Sequence, residues 1–130
     1  MDSIEMVPLM VTPGIRKYEH THNEPFRSII ARADSAFENA NSILCVGYGF
    51  NDNHIQPKLI DKMRQGKTPI LIATKKLSDS GMRFIKSATS STVFGIEEFK
   101  SGTRIVFSDK EEIIEELSFW SLEELIKLVI

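Results

Sequence analysis

Two short apolar runs limit what this chain can become. Residues 42–47 (SILCVG) and 68–73 (TPILIA) are each too short for a buried helix. Neither alternates apolar with polar residues as a strand with one wet face would. They read as strands covered on both faces. Between them Ile55, Leu59, Ile60 and Met63 recur at helical spacing, and Gly66 follows as a stop. Strand, helix and strand in that order predict a βαβ unit, with two parallel strands and the right-handed crossover such units use.

The flanking sequence extends this pattern. Residues 6–11 are apolar and extended in character, ending at Thr12-Pro13-Gly14, a turn signal. A helix follows, with Asn23 as cap, Pro25 in its first turn, and a core face of Phe26, Ile29, Ile30, Ala33, Phe37 and Ala40. Residues 78–87 form a further helix carrying Met82, Phe84 and Ile85. Residues 92–96 and 103–107 read as strands split by a turn at 100–102. Asp109 then opens an acidic helix with Ile113, Ile114 and Leu117. Ser121 and Glu124 have capping-box spacing for a last helix with Leu122, Leu125, Ile126 and Val129 inward. No repeat, low-complexity tract or linker interrupts residues 1–130, so a single α/β domain is expected.

Composition excludes some functions. A formal charge of −2 offers no general attraction to nucleic acid or to an anionic membrane. A single cysteine precludes an internal disulfide framework, and Cys45, inside an apolar run, reads as a small buried hydrophobe instead of a nucleophile. No apolar run approaches the roughly 18 residues that span a bilayer. The start, MDSIEMVPLMV, has an acid where a secretory signal is basic, so a cytoplasmic protein is expected. His20 and His22, with Glu19 and Glu24, supply too few ligands for a metal and read as a solvated loop.

Function is expected where the first apolar run breaks into GYGFNDNH, Gly47 to His54. In open α/β sheets, ligands bind outside the carboxyl ends of parallel strands. Gly47 and Gly49 let the backbone turn sharply and a ligand approach main-chain N–H groups. Pro57 is tolerated only in a first turn, so the next helix starts near Asn53 or His54 and turns its positive end into the same crevice. A phosphate or ribose suits that geometry. The spacing is not the dinucleotide fingerprint, because Asp52 stands at the third glycine position. The alternative is a tight βα turn in which Asp52 or Asn53 caps the helix and His54 bonds to its own loop.

These segments together resemble a known family. TPGIRKY (residues 12–18), ENANSILCVGYGFNDNHI (38–55) and TPILIATK (68–75) are similar to the C-terminal half of sirtuin-like NAD-consuming domains, most of all the bacterial antiphage-defence subgroup. That subgroup's signature, an apolar strand followed by G-Y-[SG]-F-x-D-x-H-[IL], reads here as Gly47 to Ile55. Pro13-Gly14 and Lys17-Tyr18 stand where it has P-x-x-K-Y, and Trp120, Leu122 and Leu125 resemble its closing segment. The resemblance implies a three-layer α/β fold: a partial Rossmann-like parallel sheet with helices on both faces, in an incomplete sirtuin-like domain. It also implies that Gly47, Tyr48, Gly49, Phe50, Asp52 and His54 line an NAD site. Thr74 stands where the family's Asn meets the adenine ribose.

The Gly-rich first loop, the catalytic Asn and His, and the zinc-binding cysteines of the deacylating members have no counterpart here, so no catalytic residue or metal is expected. By resemblance the complete protein hydrolyses NAD, releasing nicotinamide and an ADP-ribose product. This chain would supply one wall of the pocket and be inert alone. Depletion of NAD would be the defensive outcome, with a helicase-like ATPase or an Argonaute-like protein as partner in the full system. The competing expectation is a stand-alone degenerate module that binds a nucleotide or a protein without chemistry. Either way, a half-sheet exposes an edge strand, which predicts self-association.

Overall fold

The structure, a computed structural model, describes residues 24–90 and 92–129. The apolar segment 6–11, the turn at Thr12-Pro13-Gly14, Lys17-Tyr18, His20, His22 and the Asn23 cap lie outside the described residues. The chain divides into two compact units, residues 1–39 and 40–130.

In the first unit, helix α1 spans Phe26–Glu38. Pro25 occupies its N-cap position, as a residue without an amide hydrogen can at a helix start. The expected core face is amphipathic, yet none of the helix's residues is buried.

The second unit contains β1 (Ile43–Val46), α2 (Ile55–Gln65), β2 (Ile70–Ala73), α3 (Asp79–Lys86), β3 (Val93–Phe99), β4 (Gly102–Val106), β5 (Glu111–Ile114) and α4 (Leu122–Val129). The five strands form one open mixed sheet in the order β1-β2-β3-β4-β5. Strands β1, β2 and β3 are parallel, with Val46 beside Ala73 and Ala73 beside Ile96. The hairpin β3–β4 and then β5 continue antiparallel, with Glu97 opposite Arg104. The expected parallel βαβ unit is present, but the sheet as a whole is mixed.

Helix boundaries follow from local chemistry. Helix α2 ends at Gly66, whose left-handed φ of 66° lets its amide reach back to Lys62 and Met63 carbonyls. Ser78 caps α3 by accepting the Gly81 amide at 3.0 Å. Ser121 accepts the Glu124 amide at 3.3 Å, the backbone half of the expected capping box.

Side-chain alternation assigns the two faces of the sheet. Ile70, Ile72, Val93 and Gly95 point toward α2 and α3, which lie side by side with Ser87 Oγ 3.8 Å from Met63 Sδ. Here α3 approaches β3 so closely that a Cβ on Gly95 would stand 2.5 Å from Ile85 Cδ1. On the opposite face Ala73, Ile96 and Leu125 form a buried cluster, with Leu71, Phe94, Ile105 and Phe119 packed around it. Helices thus cover both faces of the sheet.

Three expectations need correction. Residues 111–114 form strand β5, not part of an acidic helix, because they pair with β4 from Thr103↔Ile114 to Val106↔Glu111. Strand β1 is not covered on both faces: Leu44 and Val46, on the α4 side, are 51% and 47% exposed. On α4 Leu125 is buried while Leu122 and Ile126 remain exposed, and the side chain of Val129 lies outside the described residues. The second layer of the core is therefore built over β2 and β3 and stops short of β1.

Candidate functional site at the ends of β1 and β2

Two loops leave the carboxyl ends of neighbouring parallel strands. The first runs from Gly47 to His54 and the second from Thr74 to Ser78. They start side by side, since the Gly47 amide donates to the Ala73 carbonyl at 2.9 Å and the Thr74 amide to that of Ile96 at 3.1 Å. This brings the expected Gly47 and Thr74 together at the lip of the sheet. The Thr74 hydroxyl makes a long 3.4 Å contact to the Lys76 carbonyl.

The first loop uses its residues unequally. Gly47 has a φ of 62° with nothing within 4 Å of where a Cβ would stand. Its need for glycine is conformational, not steric. Gly49 lies outside the left-handed region and a Cβ there would meet only Asn51 Nδ2, at 3.4 Å. The sharp turn expected of both glycines therefore belongs to Gly47 alone.

Phe50 carries the other left-handed angle, φ 60°, which costs a non-glycine residue about 1–2 kcal/mol. Burial offsets that cost: Phe50 is 2% exposed, 4.9 Å from the Phe84 ring and 4.7 Å from the Tyr48 ring. Its side chain is core, so any ligand contact by Phe50 is through its backbone.

Asp52 caps α2. Its carboxylate accepts the amides of His54 at 2.8 Å and Ile55 at 3.1 Å, and its carbonyl accepts the Gln56 amide at 3.1 Å. Pro57 falls within the first turn, as expected. His54 is exposed at the N-cap position, and its side chain does not cap the helix.

Tyr48 is half-buried, and its hydroxyl is covered without a hydrogen-bond partner. Burial raises its pKa above the ordinary 10.0, and the Asp52 carboxylate adds to the rise. The Asp52 backbone amide acts in the other direction without meeting hydrogen-bond geometry. Below the loop, burial pushes the Cys45 thiol up to about 11, so at neutral pH it is a protonated, poorly nucleophilic group.

Three residues not expected in the site, Ser78, Glu97 and Arg104, shape it. Ser78 Oγ donates to the Gly49 carbonyl at 2.9 Å, joining the two loops. Glu97, 3% exposed, accepts the Leu77 amide at 2.6 Å on one carboxylate oxygen. On the other it accepts two N–H groups of Arg104, the Nε at 2.8 Å. Arg104 also lies over the Phe99 ring, 5.6 Å from its centroid. The sequence holds one signal for this pair: a hairpin turning at Lys100-Ser101 sets Glu97 across from Arg104.

The arrangement offers a backbone-lined lip, a capped helix start and two loops cross-tied by a hydroxyl. Among the described residues no group of three His, Cys, Asp or Glu side chains is placed to hold a metal. No helix among them is long and apolar enough to cross a membrane. No family model, curated protein or solved structure matches this chain.

Proposed function

We propose that this chain supplies the C-terminal wall of an NAD site in a sirtuin-like NAD+ glycohydrolase of the antiphage-defence type, with a Rossmann-like sheet completed by residues outside it. One observation carries the reading: the candidate crevice is one-sided. Ligand crevices of doubly wound sheets form where strand order reverses. Here β1, β2 and β3 follow in sequence, and β1 has no strand on its other edge among the described residues. That edge carries the Gly47–His54 loop together with the half-exposed Leu44 and Val46. A second wall docked on β1 would cover those two side chains and place the loop at a reversal of strand order.

In this reading the backbone around Gly47 and Gly49 meets the ribose and phosphates, the start of α2 faces the negative charge, and Thr74 borders the adenosine end. Cleavage of the N-glycosidic bond releases nicotinamide through a transition state of oxocarbenium character. The residues that act on that bond lie in the other wall, so the chain by itself binds without turning over.

The test is to titrate the 130-residue chain with ADP-ribose, following backbone amide resonances, and to assay nicotinamide release from NAD. Shifts confined to Gly47–His54 and Thr74–Ser78, with no nicotinamide released, are expected. Absence of any shift in those loops overturns the reading.

A second reading, a protein-interaction module without catalysis, is favoured by a separate feature. An apolar groove of about 320 Å³ runs between α4 and the sheet, lined by Leu44, Leu71, Phe94, Leu122, Leu125 and Ile126. Self-association of the isolated chain through this face is the expected sign of that alternative.

A further inference from the structure

We infer that Glu97 is the positioning residue of the β2–α3 loop. Its buried carboxylate takes over where the backbone ladder ends and holds Leu77, and with it Ser78 and the Gly49 carbonyl, from the β3–β4 hairpin. The ladder carries this loop only part of the way. The Thr74 amide donates to Ile96 and the Glu98 amide to the Lys75 carbonyl, each at 3.1 Å. Past Lys75 the chain leaves the sheet. The next inward amide, that of Leu77, is met by the side chain of Glu97 at 2.6 Å. One residue further on, Ser78 Oγ both caps α3 and donates to Gly49. Hydrogen bonds from Arg104 to Glu97, from Leu77 to Glu97 and from Ser78 to Gly49, joined by the Leu77–Ser78 peptide bond, therefore connect the hairpin to the first loop of the candidate site.

The chemistry requires a carboxylate. Three N–H groups converge on Glu97: Leu77 on Oε2, and Nε and Nη2 of Arg104 on Oε1. A glutamine of the same shape has a single acceptor oxygen. The two-pronged, charged guanidinium is the stronger competitor for it. The Leu77 amide would then face an N–H₂ group and lose its partner, although the side-chain volume is unchanged. The extension to ligand binding rests on the proposed NAD site; the ordering of the loop does not.

The experiment is residue-resolved amide hydrogen exchange on the full chain and on its Glu97→Gln variant. Leu77 should exchange about tenfold faster or more in the variant, while the ladder amides of β2 and β3 stay within about twofold. An unchanged Leu77, or ladder amides accelerated by the same factor, overturns the inference, the latter because Glu97 would then hold the fold as a whole. Should the variant fail to fold, the unaltered chain still decides. A scalar coupling across the hydrogen bond, between the Leu77 amide nitrogen and the Glu97 carboxyl carbon, is expected, and its absence overturns the anchor.

ADP-ribose affinity separates the two claims. A loss of about fivefold or more in Glu97→Gln, measured well below the variant's own thermal midpoint, supports positioning of the ligand loop. Equal affinity with a freed Leu77 overturns that extension alone. Failure of the unaltered chain to bind ADP-ribose defeats the proposed NAD site and leaves the exchange result to stand or fall by itself.

Discussion

Ser78 and Gly49 are joined at 2.9 Å, the hydroxyl of one donating to the carbonyl of the other, across 29 positions of chain. The same oxygen accepts the Gly81 amide at 3.0 Å, so one side chain starts α3 and ties down the loop after β1. Phe50 reinforces the joint from below, where a Cβ on Gly81 would lie 3.2 Å from its ring. The loop is thus held against α3 by the Ser78–Gly49 hydrogen bond and by Phe50 packed on Gly81 and Phe84, which leaves the lip at Gly47 open.

Replacing Ser78 separates the joint from the rest of the fold. Ser78→Ala removes a helix cap, worth about 1 kcal/mol, and an interloop hydrogen bond of similar size. Urea unfolding should show a loss of about 2 kcal/mol with an unchanged denaturant slope. Ser78→Thr keeps the hydroxyl and should lose far less. Equal losses in the two variants would mean that the hydroxyl contributes nothing.

The two loop glycines should behave differently. Gly47→Ala forces an L-residue into the left-handed region at a cost of about 1–2 kcal/mol, with no clash. Gly49→Ala meets neither obstacle, and its stability should stay within about 0.5 kcal/mol of the parent. If ADP-ribose approaches the Gly49 backbone closely, that methyl group weakens binding at unchanged stability. Thermal unfolding beside an ADP-ribose titration reads both quantities.

Much of this site was legible in the sequence because its signals are local. Two apolar runs, Gly66 as a stop and Pro57 in a first turn define β1, α2 and β2 from within about 30 residues of chain. Asp52 as a cap was one of two open readings, and its bonds to His54 and Ile55 fit it. What stayed hidden depends on distant partners. Ile113 and Ile114 fit a helical stripe with Leu117 as well as they fit a strand, and only the pairing with β4 decides. The half-exposure of Leu44 depends on how far α4 reaches across the sheet. Ser78 announced a helix start, but its bond to Gly49 joins residues that no periodicity connects.

Tyr48→Phe tests an unused polar group. The Tyr48 hydroxyl is covered without a partner, and burying an unsatisfied hydroxyl costs about 1–3 kcal/mol. Deleting the oxygen while keeping the ring, which packs 4.7 Å from that of Phe50, should leave stability unchanged or raise it by roughly 1 kcal/mol. Should the variant lose stability instead, the hydroxyl has a partner in solution. Lower ADP-ribose affinity in a more stable variant would identify that partner as the ligand.

Gly102 opens β4 where no side chain fits. A Cβ there would stand 2.1 Å from the Ile114 carbonyl oxygen and 3.0 Å from the Glu115 Cα, both backbone atoms that cannot rotate away. Gly102→Ala should therefore push β5 from β4 and cost about 1–3 kcal/mol. Amides of β5 should exchange faster in this variant while those of β1 and β2 do not. Uniform acceleration along the sheet would mean that β5 is integral to the whole unit.

Cys45 makes stability depend on pH at the alkaline end. Burial holds its thiol near pKa 11 in the folded chain against an ordinary value of 9.0. Below 9 the thiol is protonated in both states and contributes no pH dependence. Above that value the unfolded chain ionises first, so stability falls as pH rises toward 11 and levels off once both states are charged. Cys45→Ala lacks this thiol, and its urea midpoint should decline less over the same interval. Alkylation by iodoacetamide supplies a second readout. The native rate should keep climbing past pH 9, where an ordinary thiol saturates, until it approaches 11. Saturation near 9 in the folded chain would mean that β1 leaves this residue open to water.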